Sequence, residues 1–301
     1  LPAIRWNVSP EIFCLGPFCP RWYGLLFAAG FFFGYGILLR IYLAEGKKQS
    51  DLDALALIMM VSTILGARLG HVFFYDWPSY SQRPWAIFAV WEGGLASHGA
   101  AIGILLALVI YVRTRQDKSQ TYLWVVDRVV ITVALGGALI RLGNLMNSEI
   151  YGFETSLPWG FIFERRGETL PRHPTQIYEA LACLGVFFFL RALYKKHRQN
   201  TPRGLLLGWF LVLIFGFRFF VEYIKNVQVE AEVAQRESTG LVQGQVLSIP
   251  FVLAGLALLL AAYRRPPLNL PAPPQGSLPS VAIPPAPAPG RGPAKKTGVK
   301  G

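Results

Sequence analysis

Long apolar runs, separated by short polar stretches, recur along the whole chain. Seven of them have roughly the 20 mostly apolar residues that a membrane-spanning helix needs. Runs such as 102–112 and 253–262 are apolar on every face, whereas strands of a membrane β-barrel alternate polar and apolar positions. The pattern therefore predicts an all-α polytopic membrane helix bundle with about seven transmembrane helices, at 22–44, 52–75, 86–112, 122–145, 174–193, 205–224 and 246–263.

Composition supports a membrane protein. The 301 residues are 53% hydrophobic and 15% charged, with a mean hydropathy of +0.39, whereas soluble domains carry about 25% charged residues. An excess of 29 Lys and Arg over 17 Asp and Glu would suggest nucleic-acid binding in a soluble protein. In a membrane protein it more often records orientation. We therefore expect the lipid bilayer as a partner and no nucleic acid.

The positions of the cations predict that orientation. With seven spans, 17 of the 29 Lys and Arg residues follow the first, third, fifth and seventh spans, on one side of the membrane. The positive-inside rule makes that side the cytoplasm, so we expect the amino terminus outside and the carboxyl terminus inside. The first residues lack the pattern of a cleaved signal peptide, and none is expected.

Two further features concern domain organisation and thiols. The last 36 residues contain 11 of the 22 prolines, so we expect a transmembrane domain at 1–265 and a disordered, Pro/Ala-rich cytoplasmic tail at 266–301.

Cys14 and Cys19 lie in the outer amino-terminal segment, either bridged or free, and Cys183 lies in the fifth span. No His or Cys pair completes the spacing of a zinc site, so no metal is expected.

Charged residues inside apolar spans are the first candidates for function. Insertion scales put a central Arg or Asp at about 2.5 to 3.5 kcal/mol, so such residues need partners. Arg218 and Glu222 are four apart and share a helix face, where they either hold helices together or serve a ligand. Arg141, Asn144 and Asn147 recur every three residues, and a guanidinium beside two amides suits a phosphate or carboxylate.

Histidines and further charges supply a second set of candidates. His98 lies among glycines that would admit a substrate, and it is either a hydrogen-bonded core residue or a catalytic one. His173 precedes Pro174, either as part of a polar helix entrance or as a ligand residue. Arg68 and His71, three apart in the second span, either touch substrate or close an internal polar network, which we favour. The charges of 164–168 are interpreted as a solvated loop, with contact to a second substrate as the alternative.

In the predicted topology, Arg141, Arg218, His98 and His173 all lie toward the outer half of the membrane. The residues alone therefore predict a cationic, His-containing pocket that opens to the outer leaflet. A phospholipid head group is the ligand that best fits such a pocket.

Seven sequence blocks, in order from residue 21 to residue 250, together resemble the prolipoprotein diacylglyceryl transferase family. These bacterial inner-membrane enzymes lipidate lipoprotein precursors. Any single block is weak evidence, whereas seven in order are strong. The blocks are Arg21-Trp22-Tyr23-Gly24-Leu25, Gly66-Ala67-Arg68-Leu69-Gly70, 91–103, Arg141-Leu142-Gly143-Asn144 through to Gly152, His173-Pro174-Thr175-Gln176-Ile177-Tyr178-Glu179, Arg218-Phe219-Phe220-Val221-Glu222 and 244–250.

The resemblance implies a multi-pass inner-membrane transferase for lipoprotein biosynthesis. Its substrates would be phosphatidylglycerol and a prolipoprotein signal peptide with a lipobox cysteine, and the products a thioether-linked diacylglyceryl group and glycerol phosphate. No cofactor is implied. A phospholipid transporter or scramblase stays open as an alternative use of the same pocket. A scaffold, in which the polar residues only hold helices together, is a third alternative.

The resemblance also assigns roles to residues. His98, Arg141 and Arg218 are expected to be catalytic, with His98 either the base for the thiol or a phosphate ligand. Glu222 would orient Arg218. The expected substrate-binding residues are Tyr23, Gly99, Asn144, Asn147, Glu149, Gly152, His173, Gln176 and Glu222.

Overall fold

Helices make up almost all the regular structure of the protein. The computed structural model describes residues 3–16, 18–89, 94, 96–226 and 240–265. Within these ranges lie two short strands, β1 (Ile4–Trp6) and β2 (Phe161–Phe163), and the helices α1 (Trp22–Ala44), α2 (Gln49–Phe74), α3 (Trp77–Gln82), α4 (Ser97–Thr114), α5 (Tyr122–Met146), α6 (Thr175–His197), α7 (Leu205–Val221) and α8 (Gln243–Arg264). The predicted tail at 266–301 lies outside the described residues.

The predicted class, an all-α membrane helix bundle, is confirmed. Five helices, α1, α2, α5, α6 and α8, are long and apolar enough to cross a membrane, and two shorter segments, His98–Thr114 and Leu205–Val221, are also apolar. All seven overlap the predicted spans. The number of spans and the side on which each terminus lies stay predictions.

The predicted start of the third span, residue 86, is wrong. Pro84–Phe88 forms a 3-10 turn, and α4 begins only at Ser97. Arg68 accounts for the difference, because its guanidinium binds the carbonyl oxygens of Ala86 and Ile87, the latter at 2.9 Å, and lies 4.9 Å from the centre of the Tyr80 ring. These contacts of Arg68 agree with the internal polar network that we favoured for Arg68 and His71, and contact with substrate stays the alternative.

Glycines allow the helices to approach closely. A Cβ at Gly66 would lie 2.5 Å from the carbonyl oxygen of Gly99, and one at Gly70 would lie 2.6 Å from the Gly99 Cα, so α2 and α4 touch backbone to backbone. The central helix α5 packs against α1, α6 and α7, and Gly30 of α1 faces Gly136 of α5. Such small residues are typical of helix interfaces in membranes, where close van der Waals packing drives association.

The amino-terminal segment and the α5–α6 connection form a small cap at one end of the bundle. β1 pairs in parallel with β2, and the Trp6 indole N–H donates to the carbonyl oxygen of Leu145 at the end of α5 (3.0 Å). Cys14 and Cys19 are joined in a disulfide, which decides the alternative that the sequence left open. The cap therefore lies directly against the end of the central helix.

A buried ion pair at the opposite end of α5 was not identified from the sequence. Arg128 is fully buried, and its Nε and Nη2 lie 3.1 and 3.0 Å from the two carboxylate oxygens of Glu45. Trp124 and Tyr194 donate to the same carboxylate, each at 2.9 Å. Neighbouring Asp127 accepts hydrogen bonds from the N–H groups of Gly204 and Leu207, at the start of α7. These contacts tie α1, α5, α6 and α7 together.

Replacing Arg128 by methionine is expected to destabilise the protein by about 3 to 5 kcal/mol, because the Glu45 carboxylate would stay buried without its counterion. Thermal melting in detergent measures the loss. Arg113→Met, at an exposed position of α4, is the control and should stay within about 0.5 kcal/mol of the wild type. Equal melting temperatures for the two variants would contradict a structural role for Arg128.

Candidate active site

Five alternating charges link three helices at the capped end of the bundle. Arg141 of α5 lies 3.3 Å from Glu179 of α6, whose other oxygen accepts a hydrogen bond of 3.0 Å from Lys225. Lys225 also lies 3.3 Å from Glu222, which lies 3.6 Å from Arg218 of α7. The structure thus brings together Arg141, Arg218 and Glu222, as the sequence predicts, in one charged cluster.

Glu179 and Lys225 are the members of this cluster that sequence reasoning did not single out. Glu179 was noticed only as the last residue of a helix-entrance block, and Lys225 follows the predicted sixth span. The spacing of Glu222 and Lys225 could have indicated their contact, because residues three apart lie on the same side of a helical turn. The contact between Glu179 of α6 and Lys225, which follows the end of α7, joins residues far apart in the sequence, and local spacing does not predict it.

Arg141 lies at the head of a chain of polar side chains. Its Nη1 donates to the Asn144 Oδ1 (3.4 Å), and the Asn144 amide donates to Glu149 (2.9 Å). Asn147 donates to the same carboxylate oxygen at 3.2 Å. The three-residue spacing predicts that Arg141, Asn144 and Asn147 lie together, and the structure adds Glu149 as the acceptor that the two amides share. Among the described residues, Nε of Arg141 lies closest to Glu179, Nη1 donates to Asn144, and Nη2 makes no hydrogen bond.

The loop that carries Glu149 has an unusual backbone. Ser148 and Ile150 both have positive φ angles, 53° and 61°, and this conformation is costly for a β-branched residue. Three side chains bind successive carbonyl oxygens of the loop. They are Arg166 on Ser148 (2.9 Å), Gln176 on Glu149 (2.7 Å) and Thr175 on Ile150 (2.8 Å). These hydrogen bonds hold the strained loop, and hence the Glu149 carboxylate, beside Arg141. Arg166 and Gln176 thus support the loop through its main chain.

Two glycines place other predicted site residues. A Cβ at Gly143 would lie 2.8 Å from the ring of Tyr23, so Tyr23 packs directly on α5, two residues beyond Arg141. A Cβ at Gly152 would lie 2.3 Å from the carbonyl oxygen of Ile224 and 2.8 Å from the Cβ of His173. Gly152 therefore has a steric role, because it lets the cap approach the chain just before Lys225.

His98 and Gly99 lie in the first turn of α4, beside the end of α2. The exposed His98 ring lies 5.3 and 5.5 Å from the rings of Phe74 and Tyr75, and it makes no hydrogen bond to the described residues. Gly99 packs against Gly66 and Gly70, which is its steric reason for being glycine. The contacts of His98 are thus with α2, whereas Arg141 and Arg218 belong to α5 and α7.

The two acidic residues of the predicted solvated loop, Glu164 and Glu168, have partners in the cap, whereas Arg165 is exposed. Glu168 accepts hydrogen bonds from Tyr151 (2.7 Å) and Arg172 (2.9 Å). Partial burial works against ionisation of Glu168, but these hydrogen bonds outweigh it and lower its pKa. Burial and the hydrogen bond to Glu168 raise the pKa of Tyr151 to about 12. Glu164 pairs with Arg5 of β1.

An apolar cavity of about 250 Å³ lies between α1, α2, α4 and α5. Its lining runs along α5 from Val129 to Gly137 and Ile140, the residue before Arg141. One end of the cavity therefore lies one residue along α5 from Arg141. Within the described ranges, no group of His, Cys, Asp or Glu is arranged to hold a metal ion.

The burial of His173 predicts a pH dependence of stability. Burial lowers its pKa, so the folded protein binds this proton less readily than the unfolded chain does. Its contribution to stability is therefore complete above pH about 6.5 and is lost as the pH falls toward the lower folded pKa. Between about pH 7.5 and about pH 5.5, the melting temperature of the wild type should fall more than that of His173→Gln. Parallel curves would contradict this.

Comparison with known proteins agrees with this geometry. Residues 10–261 match the family model described as prolipoprotein diacylglyceryl transferase. Three relatives carry the name phosphatidylglycerol–prolipoprotein diacylglyceryl transferase. The protein from Tolumonas auensis is 46% identical and the alignment covers 86% of this chain and 97% of the relative. That from Porphyromonas gingivalis is 47% identical, with 88% and 97% covered, and that from Chloroherpeton thalassium 42% identical, with 87% and 95% covered. The chain therefore belongs to the prolipoprotein diacylglyceryl transferase family.

Proposed function

We propose that this protein transfers the diacylglyceryl group of phosphatidylglycerol to a cysteine thiol of a prolipoprotein. The observation that carries the proposal is the cluster in which Arg141 and Arg218 are linked through carboxylates yet are not saturated by them. Family membership supports the same activity, because the relatives are named for it. It gives no support to a lipid transporter or scramblase.

The reaction exchanges one bond for another. The cysteine sulfur attacks the glyceryl carbon of the lipid, a carbon–sulfur bond forms, and the carbon–oxygen bond to the phosphate breaks. Glycerol phosphate leaves with the bonding electron pair, and the thiol proton passes to a base or to the leaving phosphate. Negative charge therefore develops on the phosphate, where cations lower the barrier.

Arg141 and Arg218 are the cations suited to that charge. An arginine keeps its proton in a dry site, and its fork of N–H donors matches two phosphate oxygens at once. The side chain of Arg218 is 42% exposed, and its buried Nε finds no hydrogen-bond partner among the residues that the structure describes. Asn144, Asn147 and Glu149 lie beside Arg141, within reach of the glycerol head group. Tyr23 packs over the same turn of α5.

His98 is our candidate for the base. A thiol with a pKa near 8.5 is only a few per cent thiolate at neutral pH, so the transfer needs a proton acceptor or a positive field. The ring nitrogens of His98 accept no hydrogen bond from the described residues, so the imidazole is available to take a proton. A direct contact of His98 with the phosphate is the alternative role.

The remaining partners follow from the same proposal. The apolar cavity beside Ile140 suits the acyl chains of the lipid, because burial of apolar surface is favourable there. The cysteine belongs to the lipobox of a secreted precursor, and the signal peptide of that precursor approaches from the bilayer. We further propose that the enzyme lies in the bacterial inner membrane with the capped end outside, and that 1–265 form the transferase domain and 266–301 a cytoplasmic tail.

The decisive test incubates the purified protein with phosphatidylglycerol and a synthetic lipobox peptide. Mass spectrometry should detect a diacylglyceryl adduct on the peptide cysteine, together with released glycerol phosphate. A peptide with serine in place of that cysteine is the control and should stay unmodified. Movement of lipid between leaflets without any adduct would refute the transferase in favour of a transporter.

Arg141→Lys should lose most of the transfer activity although the charge is kept. Lysine is a point charge and cannot reproduce the two parallel hydrogen bonds of a guanidinium, so a loss on the order of 100-fold in kcat/KM is expected. Initial rates of adduct formation measure it. Arg203→Lys, before α7 at the opposite end of the bundle, is the matched control. Near-normal turnover of Arg141→Lys would refute a forked contact with phosphate.

A further inference from the structure

Lys225 is the most central member of the charged cluster and has no role in the chemistry proposed above. It is 9% exposed, and its Nζ is the group that contacts both carboxylates, at 3.0 Å from Glu179 and 3.3 Å from Glu222. A buried ammonium is costly unless it is paired. The two carboxylates therefore stabilise the charge of the buried Lys225 ammonium.

The main chain holds Lys225 in this position. Residue 225 pairs with Gly152 as an isolated bridge, and the Phe153 N–H donates to the carbonyl oxygen of Ile224 (2.9 Å). Any side chain at 152 would strike that carbonyl. The cap thus fixes where the lysine enters the cluster, and the ammonium has little freedom to leave it.

The hydrogen bonds of the two carboxylates go to Lys225 and not to the arginines. Glu179 and Glu222 each accept a hydrogen bond from Nζ. The arginines face the same carboxylates at 3.3 and 3.6 Å, and within the described part of the chain neither the Glu179 Oε2 nor the Arg218 Nε has a hydrogen-bond partner. Arg141 and Arg218 thus form ion pairs with the carboxylates but donate no hydrogen bond to them.

Lys225 also sets the sign of the local charge. Three cations and two carboxylates carry a net charge of +1, and without Lys225 the same groups would be neutral. Glu149, which Asn144 joins to Arg141 through hydrogen bonds, adds one negative charge, so the six groups together change from neutral to a net charge of −1 when Lys225 is removed. An anionic phosphate would be repelled, and each carboxylate would be free to bind its arginine fully.

We propose that Lys225 is a positioning residue, the shared counterion of Glu179 and Glu222 that keeps Arg141 and Arg218 available to the phosphate of the lipid. The inference rests on the proposed function, since it assumes that a phosphate binds between the two arginines. It adds a residue that does not touch the substrate and acts through the carboxylates. A purely structural lysine would stabilise the fold without affecting the affinity for lipid.

The test is a kinetic comparison in the lipobox-peptide assay. Lys225→Met should raise the KM for phosphatidylglycerol at least about tenfold, with kcat changed by less than about threefold, because the lost charge acts on binding of the anion. Lys225→Arg should recover most of the affinity. Lys47→Met is the matched control, since Lys47 is also a partly buried lysine paired with a carboxylate, Asp117, but lies in another loop. Its KM should stay at the wild-type value.

A charge-compensated variant separates positioning from folding. Lys225→Met combined with Glu179→Gln removes one positive and one negative charge, restores the net charge of +1 and leaves Arg141 with a neutral neighbour. Its KM should return to within about threefold of the wild type, and this holds as the test even where the single variant does not fold. A double variant with a KM tenfold or more above the wild type, or an unchanged KM for Lys225→Met, overturns the proposal. Absence of any adduct with the wild-type protein would instead overturn the proposed function.

Discussion

The cost of placing a charge inside a bilayer organises this protein. An unpaired Arg or Asp at the centre of a helix costs about 2.5 to 3.5 kcal/mol on insertion scales, and α5 alone carries Asp127, Arg128 and Arg141. Each of these residues finds its partner on another element: Asp127 on α7, Arg128 at the end of α1 and Arg141 on α6. The requirement for pairing thus selects which helices surround α5, in addition to the packing of their apolar faces.

The two arginines of α5 meet this requirement in different ways. Arg128 is fully buried and commits its nitrogens to Glu45 and to the main chain of Trp124. Arg141 is partly exposed, and its Nη2 makes no hydrogen bond to the described residues. A guanidinium whose N–H groups all donate to protein acceptors stabilises the fold, whereas one with N–H groups that make no hydrogen bond can also bind an anion. This difference in saturation, rather than the presence of charge, distinguishes the structural end of α5 from the end that we propose to be catalytic.

The sequence predicted much of the bundle and part of the site, for physical reasons that can be named. Hydropathy locates apolar helices well, because each must match the membrane thickness. Hydropathy placed the start of the third span too early, at residue 86. The segment Pro84–Phe88 is apolar, but it forms a 3-10 turn that Arg68 holds through main-chain carbonyl oxygens. The residue pattern also found Arg141 and Arg218, since charges in apolar runs stand out. It missed Arg128, which has the same signal, and Lys225, which lies beyond its span. The partner of each charge depends on contacts between helices, which local patterns do not contain.

Glycines connect the packing of the bundle to the chemistry proposed for it. Gly143 makes room for Tyr23, and a Cβ at Gly244 of α8 would lie 2.7 Å from the carboxylate of Glu222. At both positions the group that occupies the space of a missing side chain belongs to the proposed site. A methyl group there would displace a tyrosine ring or a carboxylate and would alter the orientation of donors toward the phosphate. Close helix packing and the geometry of the cluster therefore depend on the same residues, Gly143 of α5 and Gly244 of α8.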